Sequence, residues 1–153
     1  MKILMVCLGN ICRSPVAEGI LREKINQHQL DVTVDSAGTS GWHDGEPPDP
    51  RSIKSAASHG IDISQQVSRK LSVEDFEAFD LIFAMDRNNL ENIKAVCPPQ
   101  YLDKVDLILN VDQPGSNREV PDPYYTSDGF EEVHLLLDSA CDALVKRIKV
   151  SIQ

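Results

Sequence analysis

Positive charge is scarce in this chain: 15 lysines and arginines stand against 24 acidic residues, a formal net charge of −9. Such a surface repels polyanions, which excludes nucleic acid and an anionic membrane face as main partners. Any anion site must be a local positive feature on a negative body. Cysteine is also sparse. Four residues, at positions 7, 12, 97 and 141, are too few and too scattered for a disulfide framework. The spacing Cys7-x4-Cys12 has no second pair or nearby histidines to complete a zinc site. Free thiols in a reducing compartment, the cytoplasm, are therefore expected, with no metal and no cofactor. His28, His43, His59 and His134 form no ligand cluster along the chain. No apolar run approaches membrane-spanning length. The opening run over residues 3–6 is shorter than the roughly seven to fifteen residues of a secretory signal core, so it reads as a strand. Aromatic residues make up only 5%, with a single tryptophan, Trp42.

The 153 residues suit one domain, expected to span 1–153, with a core large enough to need no staples. Along the chain, short apolar runs alternate with helical patterns. Strands are predicted over 3–6, 32–37, 81–85 and 105–109. The Ser14-Pro15 pair reads as the N-cap and first residue of a helix whose apolar side carries Val16, Ile20, Leu21 and Ile25. Glycines and prolines mark 38–50 as loop. A helix over 52–59 ends at Gly60, Ser72-x-x-Asp75 has the form of a capping motif, and Asp86 is placed to cap a helix over 87–96. Phe130, Val133, Leu137, Ala140, Cys141, Leu144 and Ile148 recur at helical spacing and form one buried stripe. Strands alternating with helices imply an α/β fold: a doubly wound, four-stranded parallel sheet with helices on both faces. Ligands in such sheets bind beyond the carboxyl ends of the strands, here the loops 7–14, 36–45 and 110–125.

The first of these loops has the form of an anion site. Cys7-Leu8-Gly9-Asn10-Ile11-Cys12-Arg13-Ser14 joins a strand to a helix N-terminus, where backbone amides can cradle oxyanions. Gly9 and Asn10 tolerate left-handed backbone, and the planar fork of Arg13 can grip two phosphate oxygens. The same positive environment favours the thiolate of Cys7, the reactive form. Ser14 can cap the helix or point its hydroxyl at the Cys7 sulfur. Cys-x5-Arg spacing is weak evidence alone; the strand before it and the helix start after it give it weight. Asp122, after the fourth strand, reads equally as a general acid or as a turn residue before Pro123. Trp42 in its loop can wall a slot for a flat ring, with Tyr124 facing it and Leu8 and Ile11 at the rim.

Residues 6–15 resemble the signature of the low-molecular-weight protein tyrosine phosphatases, and the resemblance extends over nearly the whole chain. Asp35-Ser36-Ala37-Gly38-Thr39 is similar to that family's second-strand exit, residues 42–51 to its aromatic loop, residues 75–86 to its third-strand region, and Asp122-Pro123-Tyr124-Tyr125 to its acid loop. The resemblance implies a metal-free hydrolase of phosphotyrosine proteins and small aryl phosphates, working through a Cys7 thiophosphate with Arg13 as clamp and Asp122 as acid. It also implies aromatic walls at Trp42 and Tyr124, and a Cys7–Cys12 disulfide that shields against over-oxidation. Cys97 and Cys141 are expected to be inert, and a monomer is expected.

The family often places a histidine in a network with the loop asparagine and the Ser36 position; here Gln65 or Gln66 falls at that place. Two other functions are open to such a chain. Arsenate reduction on a similar fold needs two further cysteines in a loop after the third strand, and residues 86–96 contain none. A phosphotyrosine-binding module without turnover would usually lack Cys7, Arg13 or Asp122, and all three are present.

Overall fold

The computed structural model describes residues 1–126 and 128–152. Its centre is β1 (Lys2–Cys7), in which Ile3, Leu4, Met5 and Val6 are fully buried. Side chains alternate across a strand. Ile3, Met5 and Cys7 accordingly join one apolar cluster, and Leu4 and Val6 join another on the opposite face. Burying each such large side chain stabilises the fold by about 1.5–3 kcal/mol relative to leaving it in water.

The other strands are β2 (Thr33–Gly38), β3 (Leu81–Ala84) and β4 (Val105–Leu107). All pair in parallel, in the order β2-β1-β3-β4. One face is covered by α1 (Arg13–Gln27), α2 (Pro50–Ser58), α5 (Leu109–Asp112) and α6 (Phe130–Ser151). The other is covered by α3 (Val73–Ala78) and α4 (Arg87–Val96). The doubly wound sheet expected from the sequence is therefore present. The chain leaves β1 toward β2 and later returns on β1's other side as β3. This reversal of strand order opens a crevice beyond the end of β1. No helix among the described residues is long and apolar enough to cross a membrane.

Several boundaries differ from the sequence reading. The fourth strand stops at Leu107, because its ladder partner β3 is only four residues long. The Asp106 carboxylate then accepts from the Leu107 amide and the Asn110 side chain, and residues 109–112 close into a helical turn. The second helix begins at Pro50 rather than Ser52. Asp49 caps it by accepting from the Arg51 amide at 2.8 Å, and Pro50 sits in the first turn, where a missing N–H costs nothing. The first helix begins at Arg13, with Cys12 at the cap position and no side-chain cap. Phe130 lies off the buried stripe of α6, half-buried beneath the Arg51 guanidinium at 4.8 Å.

Candidate active site

Cys7 is the last residue of β1, and the chain wraps over residues 8–12 before entering α1. The carbonyls of this loop are held from outside. Thr39 N donates to Cys7 O, Ser40 N and Oγ to Leu8 O, and Ser68 Oγ to Gly9 O. Asp49 N donates to Ile11 O and Ser52 Oγ to Cys12 O. With the carbonyls turned outward, the amides of residues 9–12 find no protein acceptor among the described residues. Unpaired amides converging beside a helix N-terminus make an anion cradle.

Two glycines permit this packing. A Cβ on Gly38 would stand 2.8 Å from Leu8 O, so only glycine lets the loop lie against β2. A Cβ on Gly9 would meet the His43 ring at 3.1 Å. Of the two residues expected to bend the loop, only Asn10 has left-handed backbone, with φ 57°. Gly9 serves close approach instead.

Asn10 is also the hub of a buried network. Its Nδ2 donates to Ser14 Oγ at 2.8 Å and Ser36 Oγ at 3.0 Å, and its Oδ1 accepts from Arg69 N at 3.0 Å. Ser14 Oγ lies 3.0 Å from Cys7 Sγ, which settles its alternatives in favour of the sulfur. Ser36 Oγ donates to Glu18 Oε1 at 2.6 Å. Glu18, not glutamine, therefore ends the network. Gln66 turns away to donate to Pro15 O at 3.0 Å, and Gln65 is exposed. Burial raises the Glu18 carboxyl above its ordinary range, against the opposing pull of Ser36 and Arg22. The sequence reading missed Glu18. Its signal was a carboxylate on the buried side of α1, one turn beyond Ser14. Arg69, pinned by Asp35 and Asp75, carried no local signal.

Arg13 is 2% exposed. Its Nη1 donates to Asp86 Oδ2 at 2.7 Å and Val120 O at 3.0 Å, while Nε makes no hydrogen bond among the described residues. Burial opposes its charge, but Cys7, Asp86 and Asp122 together raise its pKa beyond the ordinary arginine value. Asp86 also caps α4, accepting from Asn89 N at 2.7 Å, so one carboxylate fixes both helix and guanidinium. Asp122 stands across the loop, Oδ2 3.5 Å from Arg13 Nη2, while its Oδ1 accepts from Tyr124 N at 3.0 Å. The turn reading is thus met, Asp122 capping the turn Pro123–Tyr125, and its second carboxylate oxygen is left facing the loop.

The pocket above Cys7 has a volume of about 150 Å³. Leu8, Ile11 and Cys12 line it, and Trp42 and Tyr124 stand as walls, 76% and 40% exposed. Two further residues border it that the sequence reading did not place there, His43 and Tyr125. His43 pairs through Nδ1 with Glu46, and Tyr125 meets Tyr124 edge-on with centroids 5.0 Å apart. Arg51 donates to Tyr124 O at 3.1 Å and to Asp49, bracing the wall from behind. Burial and the charges of Asp49 and Cys7 push the Cys12 thiol up to about 12. Cys141 is fully buried, its thiol likewise pushed up to about 12 by desolvation, and Cys97 is buried at the end of α4.

Comparison with known proteins agrees with this geometry. The profile of the low molecular weight phosphotyrosine protein phosphatases matches residues 2–153. A low molecular weight phosphotyrosine protein phosphatase of Schizosaccharomyces pombe is 43% identical, covering 96% of each chain. Among solved structures, a protein tyrosine phosphatase from Entamoeba histolytica superimposes with a TM-score of 0.93 at 39% identity, covering 100% of this chain and 99% of that one. YfkJ from Bacillus subtilis does so with a TM-score of 0.93 at 35% identity, covering 100% and 97%. This chain belongs to the low-molecular-weight phosphotyrosine protein phosphatase family.

Proposed function

We propose that the chain is a single-domain, cysteine-dependent phosphatase that hydrolyses phosphotyrosine and other aryl phosphate monoesters through a thiophosphate on Cys7. The observation that carries this reading is the meeting of Cys7, Arg13 and Asp122 around one pocket with unpaired amides at its base. In the first step the Cys7 thiolate attacks phosphorus, the P–O bond to the ring breaks, and Asp122 gives its proton to the departing phenoxide. In the second step Asp122, now a carboxylate, takes a proton from water as the water oxygen attacks phosphorus. The P–S bond then breaks, releasing phosphate and restoring the thiolate. Arg13 and the amides of residues 9–12 hold the equatorial oxygens throughout, and Ser14 donates to the sulfur as a leaving group.

The ring lies between Trp42 and Tyr124. Two aromatic walls select a flat aryl ester over an alkyl one, which favours phosphotyrosine, in proteins or as a small molecule, over phosphoserine. The negative surface and unpaired thiols support a monomer meeting such substrates in a reducing compartment such as the cytoplasm. Hydrolysis of phosphotyrosine peptides, with phosphoserine and phosphoarginine peptides alongside, tests this directly. No turnover of any of them in the presence of a chelator would sink it.

Arg13→Lys is expected to lower kcat by about 10²–10³-fold with charge retained. A lysine ammonium cannot donate to Asp86 and Val120 and still span two phosphate oxygens. Steady-state rates on an aryl phosphate check this, and near wild-type turnover would remove Arg13 as the clamp.

Cys12 serves as a resolving thiol. Peroxide converts the Cys7 thiolate to a sulfenic acid with release of hydroxide. The Cys12 sulfur then attacks the Cys7 sulfur, water leaves, and a disulfide remains that dithiothreitol reduces. With its thiol held protonated at neutral pH, Cys12 is not the residue oxidised first. Brief peroxide is expected to inactivate wild type reversibly, and Cys12→Ser to recover less activity under dithiothreitol. Equal recovery would remove the protective role.

A further inference from the structure

The catalytic pocket holds little more than one ring, so the polypeptide attached to a phosphotyrosine must leave across its rim. On the side of Leu8 and Trp42 lies a second, larger concavity of about 660 Å³. Leu8 and Trp42 line both, so the two hollows are adjacent. The far walls are Lys70 and Val73, at the entrance to α3, and Asn92 and Val96 on α4. Val73 and Val96 are 57% and 55% exposed, a large apolar surface for two neighbouring valines beside an exposed tryptophan. Contiguous apolar surface rimmed by polar residues marks binding sites. Lys70 differs from its neighbour Arg69, which is tied to Asp35 and Asp75. Its side chain is exposed and enters no ion pair or hydrogen bond among the described residues. On a body with net charge −9, it is a cation beside the active site that is left to meet a ligand.

We infer that this groove is a second substrate subsite, which binds the peptide flanking the phosphotyrosine. It takes an apolar side chain against Val73, Val96 and Trp42 and a carboxylate side chain at Lys70. The inference rests on the phosphotyrosine phosphatase reading and adds to it a preference for protein substrates of stated sequence chemistry. An extended peptide advances about 3.3 Å per residue, so a groove that abuts the pocket meets residues within about three positions of the phosphotyrosine.

The test uses phosphotyrosine peptides with leucine or glutamate placed singly at each of the three positions on either side, a glycine-flanked peptide, and an aryl phosphate without any peptide. Wild type is expected to show kcat/KM about tenfold above the glycine-flanked peptide for at least one leucine position and one glutamate position. The double variant Val73→Asp, Val96→Asp should erase the leucine advantage. Lys70→Glu should erase the glutamate advantage and create one for lysine at the same position. Each variant should keep the wild-type rate on the aryl phosphate. The charge swap is a readout that a damaged fold could not produce. Equal kcat/KM on all peptides by wild type, or variants that slow peptides and aryl phosphate by one factor, would overturn the subsite. Loss of hydrolysis of every phosphotyrosine substrate by wild type would instead overturn the phosphatase reading itself.

Discussion

Cys7→Ser is expected to lower turnover by on the order of 10⁴-fold or more while the protein stays folded and still binds phosphate. The sulfur is the only protein atom in the scheme that bonds to phosphorus. A serine hydroxyl holds its proton far more tightly, and Asp122, the acid of the first step in the scheme, cannot also be the base that removes it. Ser14, the one group among the described residues in hydrogen-bond contact with that atom, is itself a hydroxyl. Nothing else in the cradle depends on the sulfur. The loop carbonyls are held by Thr39, Ser40, Ser68, Asp49 and Ser52, and Asn10 is held by Ser14, Ser36 and Arg69. Calorimetric titration with inorganic phosphate should give an affinity close to that of wild type, and circular dichroism an unchanged spectrum. Turnover above about one-hundredth of wild type would rule out the covalent route.

The second large effect concerns Asp122, and its size should depend on the substrate. Tyrosine leaves as a phenoxide of pKa about 10 and needs a proton, whereas a nitrophenol leaves with little help. Asparagine keeps the Asp122 side-chain shape, and its carbonyl can still accept from Tyr124 N, so the turn carrying the aromatic wall persists. Arg13 loses one neighbour at 3.5 Å but remains anchored by Asp86 and Val120. Only the proton is missing. For Asp122→Asn, kcat/KM on phosphotyrosine should fall by about 10²–10³-fold, and the burst of nitrophenol release by less than about tenfold. A plot of rate against leaving-group pKa should steepen. One common factor for all aryl phosphates would make Asp122 a structural residue. The other nearby carboxylates are poor replacements. Arg51 hydrogen bonds hold Asp49 below the ordinary carboxylate range, and Asp44 does not line the pocket.

Part of this site could be read from the chain because it is local. Cys7, Gly9, Asn10, Arg13 and Ser14 lie within eight consecutive residues at a strand-to-helix turn, which marks them as one loop although Gly9 serves close approach rather than the bend. The four strands were legible because their apolar runs are short and bounded by turn residues. Asp122 and the two walls were legible through resemblance, since nothing in residues 42 or 122–124 alone says that they face Cys7.

What holds the loop was decided by the tertiary structure. Arg13 is oriented by Asp86, 73 residues away, and by the Val120 carbonyl, 107 residues away. Asn10 reaches Ser36 across 26 residues. Glutamine at 65 or 66 looked suitable for that network because both of its polar atoms can hydrogen-bond. Glu18 occupies the place instead, because α1 lies beside β2 and aims that carboxylate at the Ser36 hydroxyl. The end of β4 was set by the length of its neighbour, and the outline of the flanking groove by how α4 packs beside the loops. Local propensity and pattern determine which residues turn, alternate or cap. Which distant side chain satisfies a buried polar atom is fixed only when the sheet order brings the two together, because the cost of an unpaired buried group is levied in the folded state alone.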